Sequence, residues 1–338
     1  EPLAFATANT INVADYGAKA DDGNDDTKAF HKALAAASDS DSPIVVQIPA
    51  GRFIVSDILY LERDNLILRG AGSGATTLYF PRPLRYLPDP PELAELRQYL
   101  KTMNKRQREK SHNIDLAFSQ YAWSGGFIWT RIKNERVKPY LEEYDQQPAL
   151  LALPTQGKRG DDRLKVDNAS QLRVGQIINI NWYNREGKES PLLKAIYPGV
   201  EVTGSHHWNF PNRPLVSQAS RIVAINNNTV VINDVLLHDI NGLTTDITQK
   251  AYLQNIGIEE FSIEFPQSAY VAHHVEQGFN GIYLTRLFDG WVKNIDIINA
   301  DSGILSEESA NVSISNVATK GDHKAHYTVV MGDTHNLL

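Results

Sequence analysis

Apolar residues in the first 80 positions occur in short runs that are separated by turn-forming residues. The runs are rich in branched side chains and too short for helices, which is typical of strands in an all-β domain. They predict strands over residues 44–48, 53–55, 59–61, 66–68 and 77–80. The stretch 27–37 has helical spacing instead, and Asp25 or Asp26 precedes it as a candidate cap.

The strongest pattern is a repeat in residues 253–338. Gly281-Ile282 recurs 22 residues later as Gly303-Ile304. A unit this short cannot bury its own apolar face, so neighbouring units must stack, as the coils of a parallel β-helix do. The same offset of 22 separates Val292 from Ile314, Ile295 from Val317, Ile297 from Thr319, and Asn294 from Asn316. We interpret the two asparagines as a step at a turn between strands.

The middle of the chain departs from this pattern twice. Leucines at helical spacing over 93–110 predict a helical excursion, and paired strand signals over 164–237 predict antiparallel sheet. The predicted organisation is therefore a cap with first coils (1–80), an inserted helical or loop excursion (81–150), a β-rich side subdomain (151–250) and further coils (251–338). We expect the coils to continue beyond Leu338, in the same chain or in a second chain, because an open end would expose the core.

Composition narrows the classes of partner. The chain has 338 residues, 42% of them hydrophobic, and a net charge of −7, which is typical of a globular domain and argues against a nucleic-acid partner. No apolar run is long enough to span a bilayer, so no membrane partner is expected. The absence of cysteine excludes disulfides and thiolate chemistry. A start at Glu1 without methionine predicts a processed, secreted or periplasmic protein.

Three N-terminal segments resemble the cap and first coils of the pectate lyase superfamily. They are Ile-Asn-Val-Ala-Asp-Tyr-Gly-Ala at 11–18, Asp-Asp-Gly-Asn-Asp-Asp-Thr-Lys-Ala-Phe at 21–30, and Ile-Pro-Ala-Gly-Arg-Phe at 48–53. The superfamily includes pectate lyase-like, polygalacturonase-like and phage tailspike β-helices. The resemblance covers about residues 9–80. It implies a right-handed single-stranded parallel β-helix, a capping helix over its open end, and carbohydrate bound along a long parallel sheet.

The resemblance does not fix the chemistry, because this superfamily hosts lyases, hydrolases and non-catalytic binders. The set of Asn-Thr-Asp, Asp-Asp and Gly-His-Gly motifs expected of polygalacturonase-like hydrolases is not present in the repeat region. Candidate catalytic residues must therefore be found from the stacking of coils. Aligning Gly303 with Thr328 places Asp301 beneath His326, one strand spacing of about 4.8 Å away.

The segment around His326 is dense in groups that donate or accept protons. Elimination from a uronate-containing polysaccharide needs a base, an acid and a group that neutralises the carboxylate. The predicted catalytic residues are Asp301, Asp322, His323, Lys324, His326 and Tyr327. The predicted substrate-binding residues are Trp208, His273, His274, Asn280 and Lys320. We expect a polysaccharide lyase acting on an anionic substrate.

Two alternatives remain open from the residues. Hydrolysis needs two carboxyl groups, for which Asp301 and Asp322 are the candidate pair. A non-catalytic glycan-binding or tailspike-like β-helix needs no titratable cluster. No cofactor is predicted with certainty. Ca²⁺ is an alternative neutraliser of the substrate carboxylate. A metal pair of His323 with His326 is not predicted, since those side chains would point to opposite faces of a strand.

Overall fold

The computed structural model describes residues 5–94, 96, 119–137, 148–202, 211–270, 274–323 and 325–337. The chain divides into two compact units. The first is formed by Glu1–Leu141 together with Tyr252–Leu338, and the second by Glu142–Ala251. The predicted segments 1–80 and 251–338 thus belong almost entirely to one unit. Along the sequence, the second unit lies between the two segments that form the first.

The strands follow the chain in three groups. The first group is β1 (Asn9–Asn12), β2 (Ile44–Gln47), β3 (Gly51–Ile54), β4 (Leu59–Leu61), β5 (Leu66–Arg69), β6 (Thr76–Tyr79) and β7 (Ile128–Thr130). The second unit contributes β8 (Leu150–Ala152), β9 (Pro154–Gln156), β10 (Arg163–Val166), β11 (Ile177–Tyr183), β12 (Pro214–Asn226), β13 (Thr229–Ile232) and β14 (Thr244–Thr248). The last group is β15 (Leu253–Gln254), β16 (Ile256–Glu264), β17 (Asn280–Thr285), β18 (Leu287–Ile298), β19 (Ser302–Glu307), β20 (Ala310–Lys320), β21 (Tyr327–Gly332) and β22 (His335–Leu337).

The first unit is a right-handed parallel β-helix with three sheets. The first sheet runs β1-β2-β5-β16-β18-β20-β22, and the second sheet joins β3 and β6 to the C-terminal half of β16 and onward to β18 and β20. The third sheet runs β4-β7-β17-β19-β21. Every strand pair in these sheets is parallel. The predicted all-β fold is confirmed.

The predicted repeat is the register of the coils. Ile282 lies beside Ile304, and Ile304 beside Val329, in the third sheet. Val292 pairs with Ile314 between β18 and β20, and Ile258 pairs with Val292 between β16 and β18. The inward apolar residues of successive coils therefore stack, which explains why the spacing in the sequence is regular only where no loop is inserted.

Left-handed residues bend the three long strands from the first sheet into the second. Glu260, Asn294 and Asn316 have φ values of 65°, 53° and 51°, a region that asparagine tolerates better than most residues. The Asn316 amide donates to Oδ1 of Asn294 at 2.9 Å, and the Asn294 amide donates to Glu260. The predicted asparagine step is therefore present, and its side chains bond to one another along the stack.

Helix α1 (Thr27–Ser38) covers the N-terminal end of the coils with its buried face. Phe30 on that face packs edge-on against Phe53, with ring centroids 5.7 Å apart. The backbone N–H of Thr27 donates to Asp25 Oδ1 at 2.9 Å. Asp25, one of the two candidate caps, therefore accepts from an N–H group of the first helical turn that has no partner within the helix. At the other end, the guanidinium of Arg63 donates to the carbonyls of Ala37, Ser40 and Ser42.

Replacing Arg63 by Met is expected to lower the free energy of unfolding by about 2 kcal/mol, because carbonyls at the helix C-terminus lose a charged donor. Arg63→Lys is the matched control and should lose about half as much, since it keeps the charge but not the planar fork. Urea denaturation followed by circular dichroism measures both. Equal stability of the Met variant and the parent protein would contradict this assignment.

The middle of the third sheet is buried on both faces. Every residue of β17 and β19 is buried. Residues of the excursion after β6 pack in the same hydrophobic cluster as the coils, among them Leu84, Leu93, Tyr121 and Val137. The excursion therefore covers part of this unit. Short 3₁₀ helices occur in it at Leu84–Tyr86, Pro91–Leu93 and Gln120–Ala122; most of the helix predicted over 93–110 lies outside the described residues.

The second unit is an antiparallel sheet with its own hydrophobic core. Its strand order is β8-β14-β11-β12-β13-β10-β9, and β12 and β13 form the predicted hairpin, with Asn226 opposite Thr229 and Asn227 at φ 54°. A short helix, α2 (Pro191–Ile196), packs Leu192 and Leu193 inward. This unit is therefore a sheet of regular β structure. Among the described residues of the whole chain, no helix is both long and apolar enough to cross a membrane.

Candidate functional site

Four loops leave the β-helix at the same corner, between the second and third sheets. They are residues 80–127, 265–279, 299–301 and 321–326, each in a different coil. Because the coils stack in register, these loops are neighbours. We call their described residues the loop cluster. It contains most of the predicted catalytic residues.

A buried contact between a histidine and a carboxylate lies inside the loop cluster. Nε2 of His323 is 2.9 Å from Oδ1 of Asp301, and the two side chains are only 1% and 3% exposed. The contact is close without being a well-aligned hydrogen bond. The other carboxylate oxygen of Asp301 accepts from the backbone N–H groups of Gly278 and Phe279, both at 2.9 Å. Both oxygens of this carboxylate are therefore engaged within the protein.

His323 also contacts the start of the 265–279 loop. Its Nδ1 lies 2.7 Å from the carbonyl oxygen of Ser268, the geometry of a ring N–H donating to a carbonyl. The edge of the His323 ring faces Tyr270, with centroids 5.4 Å apart at 80°. The imidazole thus lies between three loops and, because the residue is 4% exposed, is not available to a large ligand.

Aromatic rings form the accessible side of the loop cluster. Tyr270 and His326 lie nearly parallel, at 15° with centroids 6.3 Å apart, and His326 meets Tyr327 edge-on at 4.2 Å. His326 is exposed, and Tyr270 and Tyr327 are partly exposed. These three side chains together offer flat ring faces, phenolic hydroxyls and one imidazole to a ligand.

Tyr270 is held as a neutral phenol. Its Oη donates to Oε1 of Glu276 at 3.2 Å. Burial, followed by the negative charge of Glu276, raises the pKa of Tyr270 well above its usual range. Tyr270 is therefore suited to donating a hydrogen bond and not to acting as a base.

The predicted stacking of Asp301 and His326 is present in the backbone. The N–H of His326 donates to the carbonyl of Asp301 at 2.8 Å, and Ser302 pairs with Tyr327. The Asp301 carboxylate, however, contacts His323, which the sequence predicted only as one of several catalytic candidates. Residues 321–323 form bends and not a strand, so the alternation of side chains that applies to strands does not hold there.

Two predicted charged residues have partners of their own. Asp322 is exposed and accepts from the Gln267 amide at 2.8 Å, which ties the last loop to the 265–279 loop. Lys320 lies at the end of β20, where its ammonium is 2.8 Å from Asp296. Both side chains are largely solvated, and each remains accessible to an incoming ligand.

Asn280 does not fit the predicted contact with substrate. It is fully buried, and its amide donates to the backbone carbonyls of Tyr121, Ser124 and Gly125 at 2.9, 3.3 and 3.1 Å. The side chain therefore holds the end of the 80–127 loop against β17. Burial at the start of a strand was not distinguishable from exposure in the sequence pattern.

His274 has a backbone conformation that is uncommon for a residue other than glycine. Its φ is 78°, its carbonyl accepts from the N–H of Ser119 at 2.6 Å, and its ring lies 4.6 Å from that of Trp123. Trp123 and His274 are both partly exposed. Positive φ at a partly exposed histidine is a feature found at ligand sites. The other predicted residues Trp208, His273 and Lys324 lie outside the described residues.

Sequence reasoning missed Trp123, Tyr270 and Glu276. All three lie in loops that interrupt the repeat, so no coil-to-coil alignment could place them. The only available signal was an aromatic or acidic residue in an insertion, which is too common to be selective. Within the described ranges, no three histidine or acidic side chains lie close enough to hold a metal ion.

Comparisons with known proteins agree with the fold. Residues 10–82 match the family model described as rhamnogalacturonase A/epimerase, pectate lyase-like. A polygalacturonase of Prunus persica is 47% identical over 73 residues, which are 21% of this chain and 19% of that protein. The tailspike protein gp49 of Pseudomonas phage LKA1 superposes with a TM-score of 0.52 at 15% identity, over 96% of this chain and 45% of that chain.

The matched N-terminal segment is similar to pectate lyase-like and polygalacturonase-like proteins, and the coils that follow it share the parallel β-helix fold of the tailspike. The sequence match ends near residue 82, close to the start of the first loop of the cluster. It therefore covers the cap and first coils but none of the candidate catalytic residues. The chain spans less than half of the tailspike chain it resembles.

Proposed function

We propose that the protein acts on a polysaccharide, which it binds at the loop cluster and cleaves there. The observation that carries the proposal is the accessible group of Tyr270, His326 and Tyr327 above a buried Asp301–His323 pair. Flat rings with polar tips suit a sugar chain, since each sugar presents both apolar C–H faces and hydroxyls. The names of the matched family and of the polygalacturonase relative support a glycan substrate.

β-Elimination is the cleavage chemistry that suits the accessible side chains best. It requires a base that removes the proton beside the uronate carboxylate, and an acid that protonates the leaving oxygen as the glycosidic bond breaks. His326 and Tyr327 are adjacent and able to fill these two roles. A cationic side chain must neutralise the carboxylate; Lys320 is the described candidate, and Ca²⁺ is the alternative. In this proposal the substrate is anionic.

Hydrolysis is the second candidate, and the names of the relatives favour it. It requires two carboxyl groups flanking the glycosidic bond. Asp322 is exposed and able to serve as one of them. Asp301, its predicted partner, has both oxygens engaged and is nearly fully buried. In a hydrolase of this geometry, the second carboxyl group would come from a residue other than Asp301.

The test is a cleavage assay against a panel of uronate-containing and neutral polysaccharides, with and without Ca²⁺. Each reaction is followed by ultraviolet absorbance, which reports the unsaturated product of elimination, and by reducing-end release. A rise in both signals supports elimination, and reducing ends alone support hydrolysis. Binding to one polymer without any product would instead support a non-catalytic glycan-binding function. Neither binding nor product from any polymer would contradict the proposal. Secretion likewise stays a prediction.

A further inference from the structure

We propose that the Asp301–His323 pair is a positioning device that fixes both ends of the 265–279 loop, and through it the glycan-contacting face of Tyr270. Neither residue touches the substrate in this proposal. It deepens the proposed function, on which its glycan-binding arm rests. It also changes the assignment of both residues from catalytic to positioning.

The contacts of the pair reach the loop at two separated points. At the start, His323 Nδ1 binds the carbonyl of Ser268 at 2.7 Å. At the end, Asp301 Oδ2 accepts from the N–H groups of Gly278 and Phe279. The 2.9 Å contact between the imidazole and the carboxylate closes the connection between these points. The two described parts of the loop, 265–270 and 274–279, are thus tied to one buried centre, which reduces their conformational freedom.

The described residues between these two points present side chains of the candidate site. Tyr270 and Glu276 are bonded to each other there, and His274 contacts Trp123 of the 80–127 loop. The backbone of the loop also accepts from that neighbouring loop, since the N–H of Leu84 donates to the carbonyl of Gly278 at 3.1 Å. Displacing the loop would therefore move aromatic groups on both sides of it.

Burial of the pair is the reason to assign it this task. A carboxylate and an imidazole that are nearly inaccessible to water carry a large desolvation cost, and an apolar pair of similar size is often no less stable. Neither is placed to transfer a proton to a glycan, because both carboxylate oxygens and Nδ1 are engaged inside the protein. What the pair does supply is directional bonds to Ser268 and to two backbone N–H groups. Those bonds fix the backbone of the loop at the two points where they are made.

The experiment compares Asp301→Asn, Asp301→Leu and His323→Leu in the full chain. Hydrogen–deuterium exchange of peptides covering 265–280 reports the loop, and titration with the best polysaccharide of the panel reports binding. Asn keeps an acceptor for the two N–H groups, whereas Leu has the same branching at Cγ and no acceptor. Ser315→Ala, at an exposed position of β20, is the matched control.

Both Leu variants are expected to speed exchange of the loop amides about tenfold or more and to weaken glycan binding about tenfold. Asp301→Asn should recover most of the protection and most of the affinity. Far-ultraviolet circular dichroism and exchange of β18 check that the coils stay folded.

Loop exchange unchanged in both Leu variants overturns the positioning assignment. Faster exchange with unchanged affinity overturns the link to the glycan. The cleavage assay is repeated with Asp301→Asn, and a variant that recovers loop exchange and affinity but not the cleavage rate would return Asp301 to a catalytic role. If the parent protein binds no polysaccharide, the proposed function fails, while the exchange data still decide whether the pair fixes the loop.

Discussion

Replacing His326 by Ala is expected to lower kcat/KM for polysaccharide cleavage by about 100- to 10,000-fold, the usual contribution of a group that transfers a proton in the transition state. His326 is the exposed titratable group at the centre of the aromatic surface, adjacent to Tyr327 and parallel to Tyr270. Because its ring makes contacts on two sides, its loss also removes binding surface. We expect most of the effect in kcat and a smaller rise in KM. Initial rates by reducing-end release over a range of substrate concentrations separate the two.

His335→Ala is the matched control for this substitution. His335 lies on β22 in the first sheet and pairs with Ala310, on a different face of the β-helix from the loop cluster. Its loss should leave kcat/KM within about twofold of the parent value. His326→Gln, which keeps hydrogen-bonding capacity but cannot transfer a proton, should be nearly as slow as the Ala variant. A His326→Ala enzyme with near-parent kcat and a raised KM would instead make His326 a binding residue, and Tyr327 or Asp322 would become the next candidate.

The coils could be predicted from the sequence because their chemistry repeats. Each strand supplies one inward apolar residue at the same place, so the spacing of Ile282, Ile304 and Val329 along the chain indicates which residues lie side by side. The corners can be predicted in the same way, since left-handed backbone favours asparagine, as at Asn294 and Asn316. Periodicity of this kind carries information about neighbours in space as well as in the chain.

The site was predicted only in part because its loops do not repeat. Coil alignment brought Asp301 to the level of the 321–327 segment correctly, but it could not say that the turn would direct His323, buried, toward the carboxylate and leave His326 outside. Nor could it place Tyr270, which reaches the cluster from an insertion in an earlier coil. Asn280 shows the converse error. The coil alignment placed Asn280 at the correct level of the stack. Its side chain is nevertheless buried and donates to three backbone carbonyls, so its role is structural.

Replacing Phe265 by Ala is expected to lower the free energy of unfolding by about 3–5 kcal/mol, the usual cost of truncating a buried phenylalanine. Its ring is almost fully buried at the corner where the 265–279 loop leaves the coils. It packs between the rings of three other coil-corner residues, Phe80, Phe127 and Phe279, at centroid distances of 5.9, 5.6 and 5.5 Å. Truncation of Phe265 would leave a cavity lined by rings from several coils. Because those rings are held by different strands, the cavity could not close without moving a sheet.

Phe265→Leu is the matched control, and it should cost less than half as much because it fills most of the volume while losing the ring contacts. Urea denaturation monitored by circular dichroism measures both variants. We also expect faster exchange of the 265–280 amides in the Ala variant under native conditions, since Phe265 anchors the start of that loop through its N–H to the carbonyl of Ile298 and its ring in the core. An Ala variant as stable as the Leu variant would mean that the stacked rings contribute little beyond filled volume. In that case the loop cluster would depend on the Asp301–His323 pair for its order, and the core beneath it would serve only as a support.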